Sequence, residues 1–197
     1  MVTFVTVEVR KMILTGTEDI RVKKTVSSIR ESFMDLIAEQ DYEKITVKAV
    51  CDKAMINKKT FYVYFTSLED LLADVMDSFS SPYSEQVKGL VYPRDITKGV
   101  RAFFEFSAKQ NKAYERITCA SSLAVVRERM ISHVVKKSDS NIQRMGKNNF
   151  ENAVLGNFIH DTILAVYAQW IAEKKKTPLE DVIRLTTKLI TKGISGT

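Results

Sequence analysis

The chain has 197 residues, 45% of them hydrophobic, with only seven Gly and three Pro, which supplies one or two cored domains and argues against an architecture of many short strands. Thirty Lys and Arg against 24 Asp and Glu leave a net charge of +6, which permits an anionic partner such as nucleic acid without by itself specifying one. Two cysteines, Cys51 and Cys119, are too few for a disulfide framework, and no run reaches the roughly 20 apolar residues of a membrane span; the expected setting is reducing and cytoplasmic, with no membrane partner.

Residues 1–21 begin MVTFVTVEVRKM, which alternates in strand fashion but lacks a basic leader and a small-residue cleavage site; they are read as an N-terminal extension. From Val22, apolar residues at Val22, Val26, Ile29, Phe33, Leu36 and Ile37 fall at three- and four-residue steps and predict an amphipathic helix. It should stop near Asp41, a residue able to take the left-handed turn that Gly often supplies. Thr46 is a good N-cap for a short second helix, whose stripe Val47, Val50, Cys51 and Ala54 makes Cys51 a buried thiol. After a connector at Met55 and Ile56, Asn57 caps a third helix. Ser67 opens a fourth with Asp70 as its capping-box partner and a core face of Leu68, Leu71, Leu72, Val75, Met76 and Phe79.

Three helices in residues 22–66, the second and third joined by a few residues, are the recipe for a helix-turn-helix unit. On the third helix, INKKTFYVYF, the rings of Phe61, Tyr64 and Phe65 can pack inward while Lys58, Lys59 and Tyr62 face out at the end that enters a major groove. The lysines then reach phosphates or base edges, and Thr60 and Tyr62 add hydrogen bonds or contacts to thymine methyl groups. Tyr64 helps position that edge, Thr46 binds DNA backbone from the second helix, and Lys24 and Asn57 complete the expected DNA-binding set. The expected partner is double-stranded DNA.

Residues 67–197 are read as a helical regulatory and dimerisation domain. A Pro- and Gly-bearing loop is expected from Ser80 through SSPYSEQVKGLVYPRD. Helices follow at 96–109 (Val100, Phe103 and Phe104 inward), 121–137 (Leu123, Val126, Met130, Ile131, Val134), about 148–175, and 178–192. The third of these has an unusually wide apolar face, and Gly156 inside it suggests a close helix approach. The last starts with Thr177 as N-cap, Pro178 at the first position and Glu180 completing the box, and Gly193 lies just past its end. The final two helices carry more apolar surface than one core needs, so they are expected to form a four-helix bundle across a two-fold axis, with Leu155, Phe158, Ile159, Tyr167, Val182, Thr186 and Leu189 at the homodimer interface.

The run ITVKAVCDKAMINKKTFYVYFTSLEDLL resembles the DNA-binding signature of the TetR family of bacterial transcriptional regulators, with Thr60, Tyr62, Tyr64, Phe65, Glu69, Leu71 and Leu72 in matching places. Two positions depart from the pattern. Met55 stands where the family often has Gly, and Leu68 where many members have a phosphate-contacting Lys. The resemblance implies an all-α homodimer: a three-helix DNA-binding domain followed by a helical ligand-binding domain. It implies a palindromic operator, usually repressed, from which a small-molecule effector releases the protein. A TetR-like co-activator acting through a protein partner is the alternative. The effector pocket is expected among the middle helices, lined by Phe103, Phe104, Phe106, Tyr114, Met130 and His133, with His160 and Trp170 from the long helix. Catalysis is not expected. His133 and His160 have no motif around them, the adjacent His160 and Asp161 should not face the same way, and no metal or cofactor set is evident.

Overall fold

In the computed structural model, residues 20–124, 127, 128, 131 and 145–193 are described, and among them the only regular structure is helical. Eight α-helices have both ends among the described residues: α1 (Ile20–Glu39), α2 (Val47–Lys53), α3 (Lys58–Tyr64), α4 (Leu68–Gln86), α5 (Ile96–Ala108), α6 (Lys112–Cys119), α7 (Asn149–Ala172) and α8 (Leu179–Lys192). Single turns of 3-10 helix lie at Tyr42–Lys44 and Ser121–Leu123. The chain forms two compact units, Met1–Val75 and Met76–Thr197. The division falls inside α4, just after the buried Leu71, Leu72 and Val75.

In the first unit, α1 packs on α2 and α2 on α3. Ile29, Phe33, Val50 and Phe61 are fully covered, and Ile37, Cys51, Phe65 and Leu72 nearly so. Each such side chain contributes about 1.5–3 kcal/mol relative to its exposed state. Two caps act as expected: Thr46 Oγ1 accepts from Ala49 N–H at 3.1 Å and Asn57 Oδ1 from Thr60 N–H at 2.8 Å. At α4, Asp70 N–H donates to Ser67 Oγ at 3.1 Å, but the Asp70 carboxylate turns back to the Thr66 N–H (2.9 Å) and hydroxyl (3.2 Å). Asp41 is extended (φ −68°, ψ 142°), not left-handed. The 3-10 turn at Tyr42–Lys44 redirects the chain instead. The left-handed residue is Met55, φ +54°, in the α2–α3 turn. Arg30 joins α1 to α4 through a two-pronged bond to Asp74, at 2.5 and 2.9 Å.

In the second unit, the loop expected at Ser80 begins only after Gln86. The stripe Phe79, Tyr83, Val87 continues the helical period across Pro82, and the hydroxyls of Ser80 and Ser84 bond back to the carbonyls of Asp77 and Ser81. The loop that follows is closed by the Asp95 carboxylate. It accepts from Val91 N–H at 3.0 Å and from Arg94 and Lys98, which together hold it well below the ordinary carboxylate range. Helix α6 was not foreseen. Its signals are Asn111, whose side chain accepts from Tyr114 N–H at 3.0 Å, and the inward set Ala113, Tyr114, Ile117. The helix expected at 121–137 lies mostly outside the described residues.

Helix α7 begins after Asn148, whose side chain accepts from Glu151 N–H at 2.9 Å. Helix α8 packs on α5 and α7. It starts at Leu179, with Pro178 in the cap position and no side-chain cap bond, so the expected capping box does not form. Trp170 Nε1 donates to the Thr177 carbonyl at 2.8 Å and fixes Thr177 outside the helix. Gly193 ends α8 at φ +67°.

Met55 is 92% exposed, so its side chain buries almost nothing that could offset its backbone. The left-handed region costs an L-residue about 1–2 kcal/mol, part of which Gly would return through its freer unfolded chain. Met55→Gly should therefore raise the unfolding free energy by about 0.5–1 kcal/mol, and Asn57→Ala should lower it by about 1 kcal/mol through loss of the cap. Urea denaturation followed by circular dichroism checks both, and a destabilised Met55→Gly protein would contradict the turn geometry.

Candidate nucleic-acid interface

Helix α3 has seven residues, too few to hold itself together in water. It is fixed at one end by the Asn57 cap and along its inner face by Phe61, whose ring lies 5.8 Å from Phe65 and 5.4 Å edge-on to Tyr62. With that face anchored, Lys58, Lys59, Tyr62 and Val63 are exposed. Thr60 is half-buried and its hydroxyl donates to Asn57 Oδ1 at 3.1 Å, so it supports the cap while keeping acceptor capacity. Tyr64 is also half-buried. Thr46 and Lys24 are exposed; the Thr46 oxygen serves its own cap, which leaves its hydroxyl proton for an outside acceptor. Val63, 60% exposed, is the residue the sequence reading passed over. Counting helix steps from Lys59 would have found it, because i and i+4 share a face.

Residues 20–75 contain nine Lys and Arg and nine Asp and Glu, so this stretch is neutral overall. Its cations are sorted by position. Arg30 meets Asp74, Lys53 meets Asp35 and Glu39, and Lys44 meets Asp41. Lys24, Lys48, Lys58 and Lys59 stand exposed.

The second unit has an aromatic interior. Phe79 stacks edge-on with Tyr114 at 5.2 Å, Phe103 with Phe104 at 5.3 Å and with Tyr167 at 5.5 Å, and Phe104 approaches Trp170 at 6.3 Å. Phe104 and Phe106 are buried and Phe103 half-buried, so the three rings of α5 do serve different surfaces. The Tyr114 hydroxyl lies 3.0 Å from Ser107 Oγ. The Tyr167 hydroxyl is buried with no hydrogen-bond partner among the described residues. Burial pushes the phenols of Tyr114 and Tyr167 above their ordinary range and Cys119 up to about 11. This is an interior that resists charge.

Of the expected pocket residues, Phe103, Phe104, Phe106, Tyr114 and Trp170 come together, while Met130 and His133 lie outside the described residues. His160 is not among these ring contacts. Its Nδ1 lies 3.0 Å from Asp161 Oδ1, so the two side chains do meet, bending around their shared stretch of backbone. An open groove of about 620 Å³ runs between α7 and α8 rather than among the middle helices, and Trp170 is the one expected residue that lines it. Among the described residues no three His, Cys, Asp or Glu side chains are grouped as a metal site would need.

The expected interface residues divide. Leu155 and Phe158 are exposed, together with Phe150 and Val154. Ile159, Tyr167, Val182 and Thr186 are covered within the chain and so offer no surface to a second one; Leu189 is half-buried. A Cβ built on Gly156 meets nothing within 4 Å among the described residues, so none of them makes the close approach expected there.

The sequence pattern of the bacterial regulatory proteins of the tetR family matches residues 29–75. An uncharacterised HTH-type transcriptional regulator of Bacillus subtilis (strain 168), YxbF, is 38% identical over 55 residues, which are 27% of this chain and 14% of that protein's length. Among solved structures, the TetR transcriptional regulator of Streptococcus agalactiae 2603V superposes with a TM-score of 0.66 at 19% identity, covering 86% of this chain and 95% of the other. FadR of Bacillus subtilis, in complex with stearoyl-CoA, gives 0.64 at 18% identity over 85% and 98% of the two chains. FadR of Thermus thermophilus, in complex with lauroyl-CoA, gives 0.55 at 17% over 86% and 94%. At such identities the likeness is one of fold. Among the described residues no helix is long and apolar enough to cross a membrane.

Removing both exposed lysines as Lys58→Ala/Lys59→Ala should lower operator affinity tenfold or more at unchanged fold, and should flatten the plot of log affinity against log salt by about two, one unit per lost phosphate contact. A fluorescence-anisotropy titration across salt concentrations reads both. Val63 gives a separate test. Burying a methyl group is worth about 0.8 kcal/mol, roughly fourfold, so replacing a contacted thymine by deoxyuridine should weaken the wild type by that factor and leave Val63→Ala indifferent.

Proposed function

We propose, from the premise that the chain belongs to the TetR family of bacterial regulatory proteins, that it is a homodimeric repressor which leaves a palindromic operator when an acyl-CoA-type effector occupies its C-terminal unit. The observation that carries the DNA-reading part is the outward face of α3, where Lys58, Lys59, Tyr62 and Val63 stand exposed over a fully buried Phe61.

The dimer rests on α7. Phe150 is 77% exposed, Val154 48%, Phe158 46% and Leu155 38%. These form one stripe, at i, i+4, i+5 and i+8, with open space above Gly156. A standard interface buries about 800 Å² per partner. Four side chains that each hide at most about 150–250 Å² when fully covered supply roughly half of that. The rest must come from neighbouring surface, and α7 also lines the α7–α8 groove, whose Leu185 is exposed.

Two features favour an acyl-CoA-type effector. Solved FadR proteins of this fold hold stearoyl-CoA and lauroyl-CoA. In this chain residues 76–197 contain 19 Lys and Arg against 12 Asp and Glu, so the unit with the aromatic interior is also the basic one. Such a ligand releases the operator only through a difference in affinity between the two states, and its coupling with DNA is reciprocal.

Stearoyl-CoA should weaken binding to the DNA upstream of the protein's own gene, and that DNA should weaken stearoyl-CoA binding by the same factor. A gel shift paired with calorimetry checks the equality, and binding untouched by the acyl-CoA would remove this effector class. Phe158→Glu should turn the dimer into a monomer and lower operator affinity at least tenfold, as read by light scattering and anisotropy. A wild type that is monomeric at micromolar concentration would sink the dimer.

A further inference from the structure

Two turns of the second unit are pinned to each other. The α5–α6 turn comprises Lys109, Gln110 and Asn111, and the α7–α8 turn runs from Glu173 to Pro178. Between them Lys175 forms an ion pair with Glu115 at 2.7 Å, lies 3.5 Å from the Ala108 carbonyl, and sits 5.7 Å above the Trp170 ring. Trp170 in turn holds the far side of the second turn through Thr177, at 2.8 Å. The pinned turns present four exposed lysines, Lys109, Lys112, Lys174 and Lys176. Two acids lie in or beside these turns: Glu115, matched by Lys175, and Glu173, whose carboxylate accepts from Gln169 Nε2 at 2.8 Å, so the four lysines outnumber the acids around them.

Helix ends explain only part of this. Cations are favoured at the C-terminal ends of α5 and α7, which suits Lys109 and Lys174, but Lys112 lies in the first turn of α6, where the sign of the helix dipole is wrong. Backbone conformation points the same way. Lys174 and Lys175 are both left-handed, at φ 56° and 55°, where Gly is the residue of least strain. Lys175 has its bond to Glu115 to offset that strain. Lys174 has no such contact within the described residues.

We infer that these two turns form a phosphate-binding site, in which Lys109, Lys112, Lys174 and Lys176 hold the phosphate groups of the effector while its apolar part is directed to the aromatic interior. This rests on the acyl-CoA reading above and adds where the charged end is held. Lysine serves here as a mobile point charge that several phosphate geometries can satisfy. The inference also accounts for the location of the chain's net charge, which lies in residues 76–197 and not in the neutral reader.

The test is calorimetry of the full-length protein with stearoyl-CoA, coenzyme A and stearate. The variants are Lys109→Ala/Lys112→Ala and Lys174→Ala/Lys176→Ala, with Lys88→Ala as a control elsewhere on the unit. Melting temperature and operator affinity of each are measured in parallel. Each double variant should lose tenfold or more affinity for stearoyl-CoA and for coenzyme A, none for stearate, and should melt and bind operator like the wild type and the control. Stearoyl-CoA binding the wild type and both double variants equally would overturn the site while leaving the effector reading intact. Failure of stearoyl-CoA and coenzyme A to bind the wild type would remove the effector reading itself. A loss of operator affinity in the double variants, with acyl-CoA binding unchanged, would assign the lysines to DNA and overturn the site as well.

Discussion

A seven-residue helix cannot stand by itself in water, and α3 is such a helix. Everything in the first unit answers to that constraint. Phe61 is fully buried beneath α3 and the Asn57 side chain closes its first turn, so the peptide is held from below and from one end. Losing a buried Phe costs about 3–5 kcal/mol and losing such a cap about 1 kcal/mol, so the ring is the main support and the cap an adjustment to it. Because these supports use the inner face, the outer face is left with cations and two unburied side chains, Tyr62 and Val63. The mixture of rings and lysines in ten residues is thus a division of labour between two sides of one short helix.

That division also explains why net charge is a poor guide to where this protein meets an anion. The chain carries +6, yet residues 20–75 carry none of it. Electrostatic attraction to a phosphate falls off within roughly a Debye length, about 8–10 Å at ordinary salt, so what matters is which cations lie on the outer face. Arg30, Lys44 and Lys53 are drawn into ion pairs that tie helices or turns together, whereas Lys58 and Lys59 are not. The basic excess in residues 76–197 needs a different account, and an anionic effector supplies one.

Much of the fold was legible because it is encoded locally. Thr46, Asn57 and Asn148 are residues whose short side chains can reach a backbone N–H two or three positions on, and each does. The misreadings come from places where a distant contact overrides a local preference. Pro82 and its serines look like a loop, but Phe79, Tyr83 and Val87 keep the helix going across them. Thr177 looks like a cap, but the Trp170 indole takes its carbonyl and shifts the helix start. Asp41 is a good left-handed residue that here is extended, and Met55 is a poor one that is left-handed, since the tight passage from α2 to α3 dictates the backbone there. Helix α6 was missed because eight residues give too short a period to stand out. Val63 was absent from the expected DNA-facing residues because an apolar residue on a helix is first read as core.

Helix α7 shows why an apolar face cannot by itself say what covers it. Its sequence is apolar around most of the circumference, which is the pattern of a helix buried on several sides. The structure divides that surface. Ile159, Tyr167 and Trp170 face the chain's own interior, and Phe150, Val154, Leu155 and Phe158 face outward. Composition cannot separate these groups, since each contains large aromatic and aliphatic residues. What separates them is position: the inward set clusters toward the C-terminal half, where α6 and α8 lie alongside, and the outward set toward the N-terminal half. Exposed apolar side chains scattered singly need no explanation, but four on one stripe form a contiguous patch, and such patches mark association surfaces. Gly156 sits within that stripe and has no neighbour within 4 Å of a built Cβ among the described residues. A residue that costs about 1 kcal/mol in a helix relative to Ala, with none of the described residues packed against it, is accounted for when a second helix crosses close at that point, and the surrounding Val154, Leu155 and Phe158 are the side chains that such a crossing would cover.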